Sequence, residues 1–245
     1  NKIYGPLKIF TAYEELNDIT KKVINVNKDN AFLDSVISSR GTYRASQYFF
    51  DTFPFASSRL GAGTENMIAS NFFERIPEVY KTTKPDDGDE YVAILARVQN
   101  NRVKGYIKRK FVLDNDFIDG YNVASPKSNG NGVFGEVLTS TEILKPDEGA
   151  TDTFISIGSF KTEKEAINLQ KYISTKFFRT LLGVKKVTQD NPKSVWNMIP
   201  VQDFTPSSDI DWSKSIHEID LQLYRKYGLT ADEINFIEAN VKEMA

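Results

Sequence analysis

The sequence contains no cysteine and a single histidine, His217. Without thiols there is no disulfide, no thiolate nucleophile and no Cys-ligated zinc, and one imidazole cannot supply the multi-histidine sets of many catalytic metal centres. Long apolar runs are also missing: nothing approaches the roughly 18 consecutive residues of a membrane-spanning helix. The opening Asn1-Lys2-Ile3-Tyr4-Gly5 has neither the basic nor the apolar region of a secretory signal. These absences lead to the expectation of a soluble, cytoplasmic protein with no membrane partner. With no methionine at position 1, the chain is expected to be a segment of something longer. What is present suffices for folding, since 245 residues that are 40% apolar and 12% aromatic can bury a core for one large domain or two small ones.

The formal net charge of −2 hides blocks. From Arg97 to Lys127 seven bases stand against three acids, and from Lys161 to Trp196 eight stand against three. The tail from Gln202 to Ala245 reverses the balance, with nine acids against four bases. Such asymmetry suits a basic face for a polyanion and an acidic end, although solvated faces of ordinary amphipathic elements produce similar blocks.

Periodicity and capping chemistry place the elements. Thr11 and Glu14 form a capping box ahead of Leu16, Ile19, Val23 and Val26 at helical spacing, and a short second helix is expected from about Asp29 to Ile37. Tyr43 to Tyr80 is rich in aromatics and interrupted by Pro54, Gly61, Gly63 and Pro77, a pattern taken as short strands and loops. A hairpin follows, with Tyr91 to Arg97, a turn at Gln99-Asn100-Asn101, and a basic return strand from Val103 to Val112. Further strands are expected at Tyr121 to Ser125, Thr153 to Ser159 and Ser194 to Pro200. Thr162 and Glu165 open a helix expected to run to Leu182 and to end at Gly183, and Thr230 with Glu233 opens a terminal one.

Several strings look like chemistry and fail on context. Gly130-Asn131-Gly132-Val133-Phe134-Gly135 matches the dinucleotide glycine fingerprint, but Glu136 to Leu144 reads as extended where a helix is required. A loop in which Lys127, Ser128 and Asn129 approach a phosphate backbone is the preferred alternative. Gly61-Ala62-Gly63 lacks the strand and acid of a methyl-donor loop. Asp86, Asp89 and Glu90, or Asp147 with Glu163, fit a magnesium nuclease only loosely, and His217 has no partner acid or nucleophile.

Two groups of residues go beyond generic pattern. The stretch from Thr153 to Ala166 (TFISIGSFKTEKEA), with Asn168-Leu169, Tyr172 to Leu181 (YISTKFFRTL), Lys186 to Asp190 and Val201 to Phe204, resembles the target-recognition region of bacterial restriction-modification proteins. These are the fused adenine-specific DNA methyltransferase and endonuclease enzymes and their related subunits. The ending from Leu223 to Ile234 and Phe236 to Glu238 is similar to the tail of the same proteins. Val36 to Arg40 and Ile118 to Lys127 resemble further patches. Tyr43 and Arg44 depart from the Pro-Phe-Gly-like string that relatives often carry. The resemblance implies the specificity portion alone, because the Asn-Pro-Pro-aromatic methyltransferase motif is missing: Asn191-Pro192-Lys193 lacks its second proline and its aromatic.

The resulting expectation is an α+β fold, with a mixed, strand-rich centre flanked by helices and like a DNA target-recognition domain. Its segments are an N-terminal helical segment (1–40), the recognition-like domain (41–205) and a C-terminal helical tail packed on it (206–245). No catalytic residue, metal site or cofactor is expected in this chain, S-adenosylmethionine and magnesium being left to the parent enzyme. The expected partners are double-stranded DNA and the methyltransferase and nuclease parts of that parent. Candidate DNA-binding residues are Arg40, Arg44, Lys104, Lys108, Arg109, Lys110, Lys127, Asn129, Lys185 and Lys186. The competing expectations are a protein-interaction element that docks through the aromatic segment from Tyr43 to Phe73, and a nuclease domain.

Overall fold

A computed structural model describes residues 13–61, 66–99, 101–130, 132–186 and 188–244. The architecture is α+β, in two compact units that do not follow the sequence boundaries above. One unit takes in the described residues of 13–35, 129–138 and 171–244. The other comprises residues 36–128 and 139–170. The elements in chain order are α1 (Glu14–Val26), α2 (Gln47–Thr52), α3 (Ala56–Leu60), α4 (Phe72–Arg75), β1 (Tyr91–Val98), β2 (Asn101–Lys108), α5 (Asp116–Asp119) and β3 (Tyr121–Pro126). They continue with β4 (Glu142–Leu144), β5 (Glu148–Ala150), β6 (Phe154–Phe160), α6 (Glu163–Ser174), α7 (Lys176–Lys185), α8 (Ile216–Lys226) and α9 (Ala231–Asn240).

The 36–170 unit is built on two three-stranded sheets, ordered β2-β1-β5 and β4-β3-β6. β1 and β2 form the expected antiparallel hairpin, while β5 runs parallel to β1. β3 pairs antiparallel with β4 and β6. Six consecutive residues of β1, Tyr91 to Ala96, are buried, as in a strand covered on both faces rather than on one. The aromatic segment supplies much of that cover, and it folds as the short helices α2, α3 and α4 instead of strands. Ser46 caps α2 by accepting from Phe49 N at 3.3 Å. That turn brings Phe49 against Phe50, Phe53, Phe72 and Phe111 at centroid distances of 5.0 to 5.9 Å. Gly105 of β2 lies beneath the Phe73 ring, where a Cβ would meet it at 2.4 Å.

The helical unit buries Leu16, Ile19 and Val23 of α1. The Thr11 capping box lies outside the described residues. The helix expected from Asp29 to Ile37 is reduced to a 3-10 turn at Leu33–Ser35. Thr162 with Glu165 and Thr230 with Glu233 form the expected boxes, and Ser215 with Glu218 forms another. The helix opened by Thr162 breaks at Thr175, whose extended backbone and side-chain oxygen cap α7 through Phe178 N at 3.1 Å. α7 then runs through Gly183 rather than ending there. This glycine is needed for packing, because a Cβ would meet the Phe134 ring at 2.7 Å. Ser194 to Pro200 is a 3-10 turn and loop, not a strand, although Val195, Trp196, Met198 and Ile199 are buried. Phe177 and Phe178 belong to the core, as their helical spacing suggests.

Two buried polar arrangements shape this unit. Asp220 accepts from Lys176 N at 3.0 Å and Phe177 N at 2.8 Å, closing the first turn of α7. Burial outweighs those donors and pushes its carboxyl up to about 6. The glycine loop forms the other arrangement. Gly130, Gly132 and Gly135 all adopt positive φ, and the Glu136 carboxylate accepts from Gly132 N at 3.1 Å while pairing with Lys186 Nζ. This string of glycines wraps a carboxylate of its own chain.

Candidate phosphate-binding cleft

Hairpin register creates the most unusual charge placement in the 36–170 unit. Asn101 pairs with Val98 across the turn, which sets Arg97 directly opposite Arg102. Like charges in cross-strand register repel, so the pair calls for an acceptor or an anion nearby. Arg102 finds partial relief: Nη2 donates to Ser140 O at 2.6 Å, and its guanidinium lies 5.7 Å from the Phe154 ring centroid. Arg97 is exposed, and among the described residues it makes no ion pair or side-chain hydrogen bond.

The two arginines line a cavity of about 420 Å³. Lys127 joins them from the end of β3, its position fixed by a bond from Lys127 N to Thr153 O at 2.8 Å. Ser70, Ser128, Thr139 and Thr153 add hydroxyls, and Phe154 an apolar contact. The one acid of the lining, Asp152, is held from two sides: Oδ1 accepts from Ser70 N at 2.8 Å, and Oδ2 lies 3.5 Å from Arg40 Nε. Three cations thus line the cavity together with a single carboxylate, which pairs with a fourth, Arg40. Lysine and arginine side chains interleaved with hydroxyl donors are the groups that bind phosphate oxygens.

Of the ten sequence candidates, Lys127 lines this cleft and Arg40 pairs with its Asp152. Most of the others have internal partners. Burial alone would lower the Lys104 pKa, but Glu148 (2.9 Å) and Glu142 (3.4 Å) outweigh it and hold it above the usual lysine value. Lys108 pairs with Asp89, whose hydrogen bond raises its pKa. Arg109 is ringed by Asp114, Asp119 and Asp147. Lys110 is exposed and sits 5.1 Å from the Tyr48 ring centroid, and Arg44 donates to Gly41 O at 2.8 Å. In the helical unit, Lys185 donates to Asn197 Oδ1 at 2.6 Å. Lys186 is buried, its side chain 4% exposed, and donates to Asn129 O and Glu136. Asn129 is itself buried. Neither Lys186 nor Asn129 presents a donor surface to a duplex, because burying an ammonium requires partners that then occupy it.

Arg97 and Arg102 entered the sequence reading only as members of a basic block. Register arithmetic could have found them, since a two-residue turn pairing residue 98 with 101 puts 97 opposite 102. Three of the acids that loosely fit a nuclease pattern have other partners. Asp89 pairs with Lys108, Asp147 with Arg109, and Glu163 with Lys145 at 3.5 Å. Among the described residues no group of three or more His, Asp or Glu side chains is arranged to hold a metal ion. His217 is exposed on α8, and no described helix is long and apolar enough to cross a membrane. Gly61 is the one described member of the Gly61-Ala62-Gly63 string; the other two lie outside the described residues. Neither a protein-family model nor a curated protein matches the chain.

Proposed function

We propose that the chain is the DNA sequence-recognition portion of a restriction-modification enzyme, which positions separate methyltransferase and nuclease parts on their target site. The observation that carries this reading is the convergence of Arg97, Arg102 and Lys127 on one polar cleft whose Asp152 pairs with Arg40, added to the resemblance over Thr153 to Phe204. Lys127 and the arginine pair neutralise backbone phosphates and fix register on the duplex, and a phosphate between Arg97 and Arg102 relieves their mutual repulsion. Methyl transfer with S-adenosylmethionine and magnesium-dependent cleavage belong to the other parts of the parent. Docking through the aromatic segment has less surface to work with. Phe49, Phe72 and Phe73 are buried, which leaves Tyr48 at 51% and Phe55 at 37% exposure.

A salt titration of duplex binding by the whole 245-residue chain tests the proposal. The logarithm of affinity should fall with the logarithm of salt with a slope of about −3, as roughly three or four phosphate contacts require. The combined variant Arg97→Gln, Arg102→Gln and Lys127→Gln should flatten the slope to near zero and weaken binding about 100-fold at low salt. Salt-independent binding, or a variant that binds as the parent chain does, would overturn the reading.

A further inference from the structure

We infer that Arg40 is the base-reading residue of this cleft, that it takes the guanine of a G·C pair, and that Asp152 is the positioning residue that aims it; the inference rests on the DNA-recognition reading above. The Arg40 side chain is 67% exposed, whereas that of Asp152 is 13% exposed. The carboxylate contacts Arg40 through Nε, at 3.5 Å, and is anchored on its other oxygen by Ser70 N. Among the described residues the Nη1 and Nη2 atoms of Arg40 have no hydrogen-bond partner. An arginine paired at Nε with both Nη groups open presents a two-pronged donor. That fork matches the paired O6 and N7 acceptors of guanine in the major groove. Phosphate charge is meanwhile matched by Arg97, Arg102 and Lys127, which line the cavity itself. The Asp152 carboxylate also disfavours a phosphate at the Arg40 position, because two anions would share one cation. A guanine edge brings no such charge.

The experiment selects duplexes from a randomised pool with the whole chain, then measures affinity and salt slope for single variants on the selected site and on versions with one base pair changed. A G·C pair should be enriched at one position. Arg40→Ala should cut the discrimination there about 5- to 100-fold while leaving the salt slope within about half a unit. Arg40→Gln should move the preference at that position toward A·T, since glutamine pairs with the adenine edge. Asp152→Asn, which keeps an oxygen for Ser70 N, should lower discrimination less than Arg40→Ala, with the slope again unchanged. If Arg40→Ala instead lowers the slope by about one unit and leaves the preference alone, Arg40 is a phosphate contact and the inference fails while the DNA reading stands. A pool showing no G·C preference sinks it as well. Absence of salt-dependent binding by the unsubstituted chain sinks both. Arg40 is exposed, so thermal melting of the two Arg40 variants should match that of the parent chain.

Discussion

The helical unit and the sheet-bearing unit differ in what they do with some of their positive charge. In the helical unit, Lys171, Lys176, Arg179, Lys185 and Lys186 all turn inward to acceptors: Lys171 to Trp212 O at 2.7 Å, Lys176 to Glu238, and Arg179 to Thr175 O at 3.3 Å and Glu136 O at 3.3 Å. In the sheet-bearing unit, Lys104, Lys108 and Arg109 are similarly engaged, yet Arg97 and Lys127 line one cleft without an ion pair among the described residues, and Arg40 beside it is 67% exposed. The difference shows that a count of cations predicts a binding face only after nearby acceptors have been subtracted. A buried cation cannot do without partners, and an exposed one can.

The contrast can be broken most forcefully at Lys186. Lys186→Met leaves the Glu136 carboxylate in its glycine loop without a counter-ion, and should cost about 3–5 kcal/mol of stability, read as a large drop in melting temperature. Duplex affinity of the protein that remains folded should not change. A variant that melts normally but binds DNA poorly would show that this lysine faces the ligand.

Asp220 sharpens the same point through pH. Its folded-state pKa of about 6 lies above the ordinary value of 3.8, so the folded state holds the proton more tightly. The associated stability is fully present below about pH 4 and is lost as pH rises through 6, a change of about 3 kcal/mol. Asp220→Asn should flatten the stability profile across that window in denaturant unfolding. An equally steep profile in the variant would assign the dependence to other groups.

Lys110 should give the smallest effect. Its ammonium lies over Tyr48 at the surface, so Lys110→Ala should cost only about 0.5–1 kcal/mol in the same unfolding measurement. A cost as large as that of Lys186→Met would erase the distinction between exposed and buried cations.

Much of the local structure is legible in the sequence. β1, β2, β3 and β6 follow from β-branched and aromatic runs between turn residues, and the boxes at Thr162 and Thr230 mark helix starts because side chain and backbone satisfy each other there. α2, α3 and α4 were not legible, since helices of four to six residues are too short to display a 3.6-residue period. The break at Thr175 was hidden as well. Apolar spacing continues across it, and only the hydroxyl bond to Phe178 N reveals a new helix start. In the cleft, Arg40 and Lys127 stood among the candidates, while Arg97 and Arg102 required the strand register.

The sequence by itself determined which residues are cations, where most strands lie and which hydroxyls cap helices, because these depend on side-chain chemistry and on neighbours a few positions away. Only the tertiary structure decided which cations face inward. Lys186 meets Glu136 from 50 positions away, and Asp152 meets Arg40 from still farther along the chain. Electrostatic pairing depends on distance in space rather than on separation in sequence, so chain folding separates the charges paired inside the protein from those left exposed.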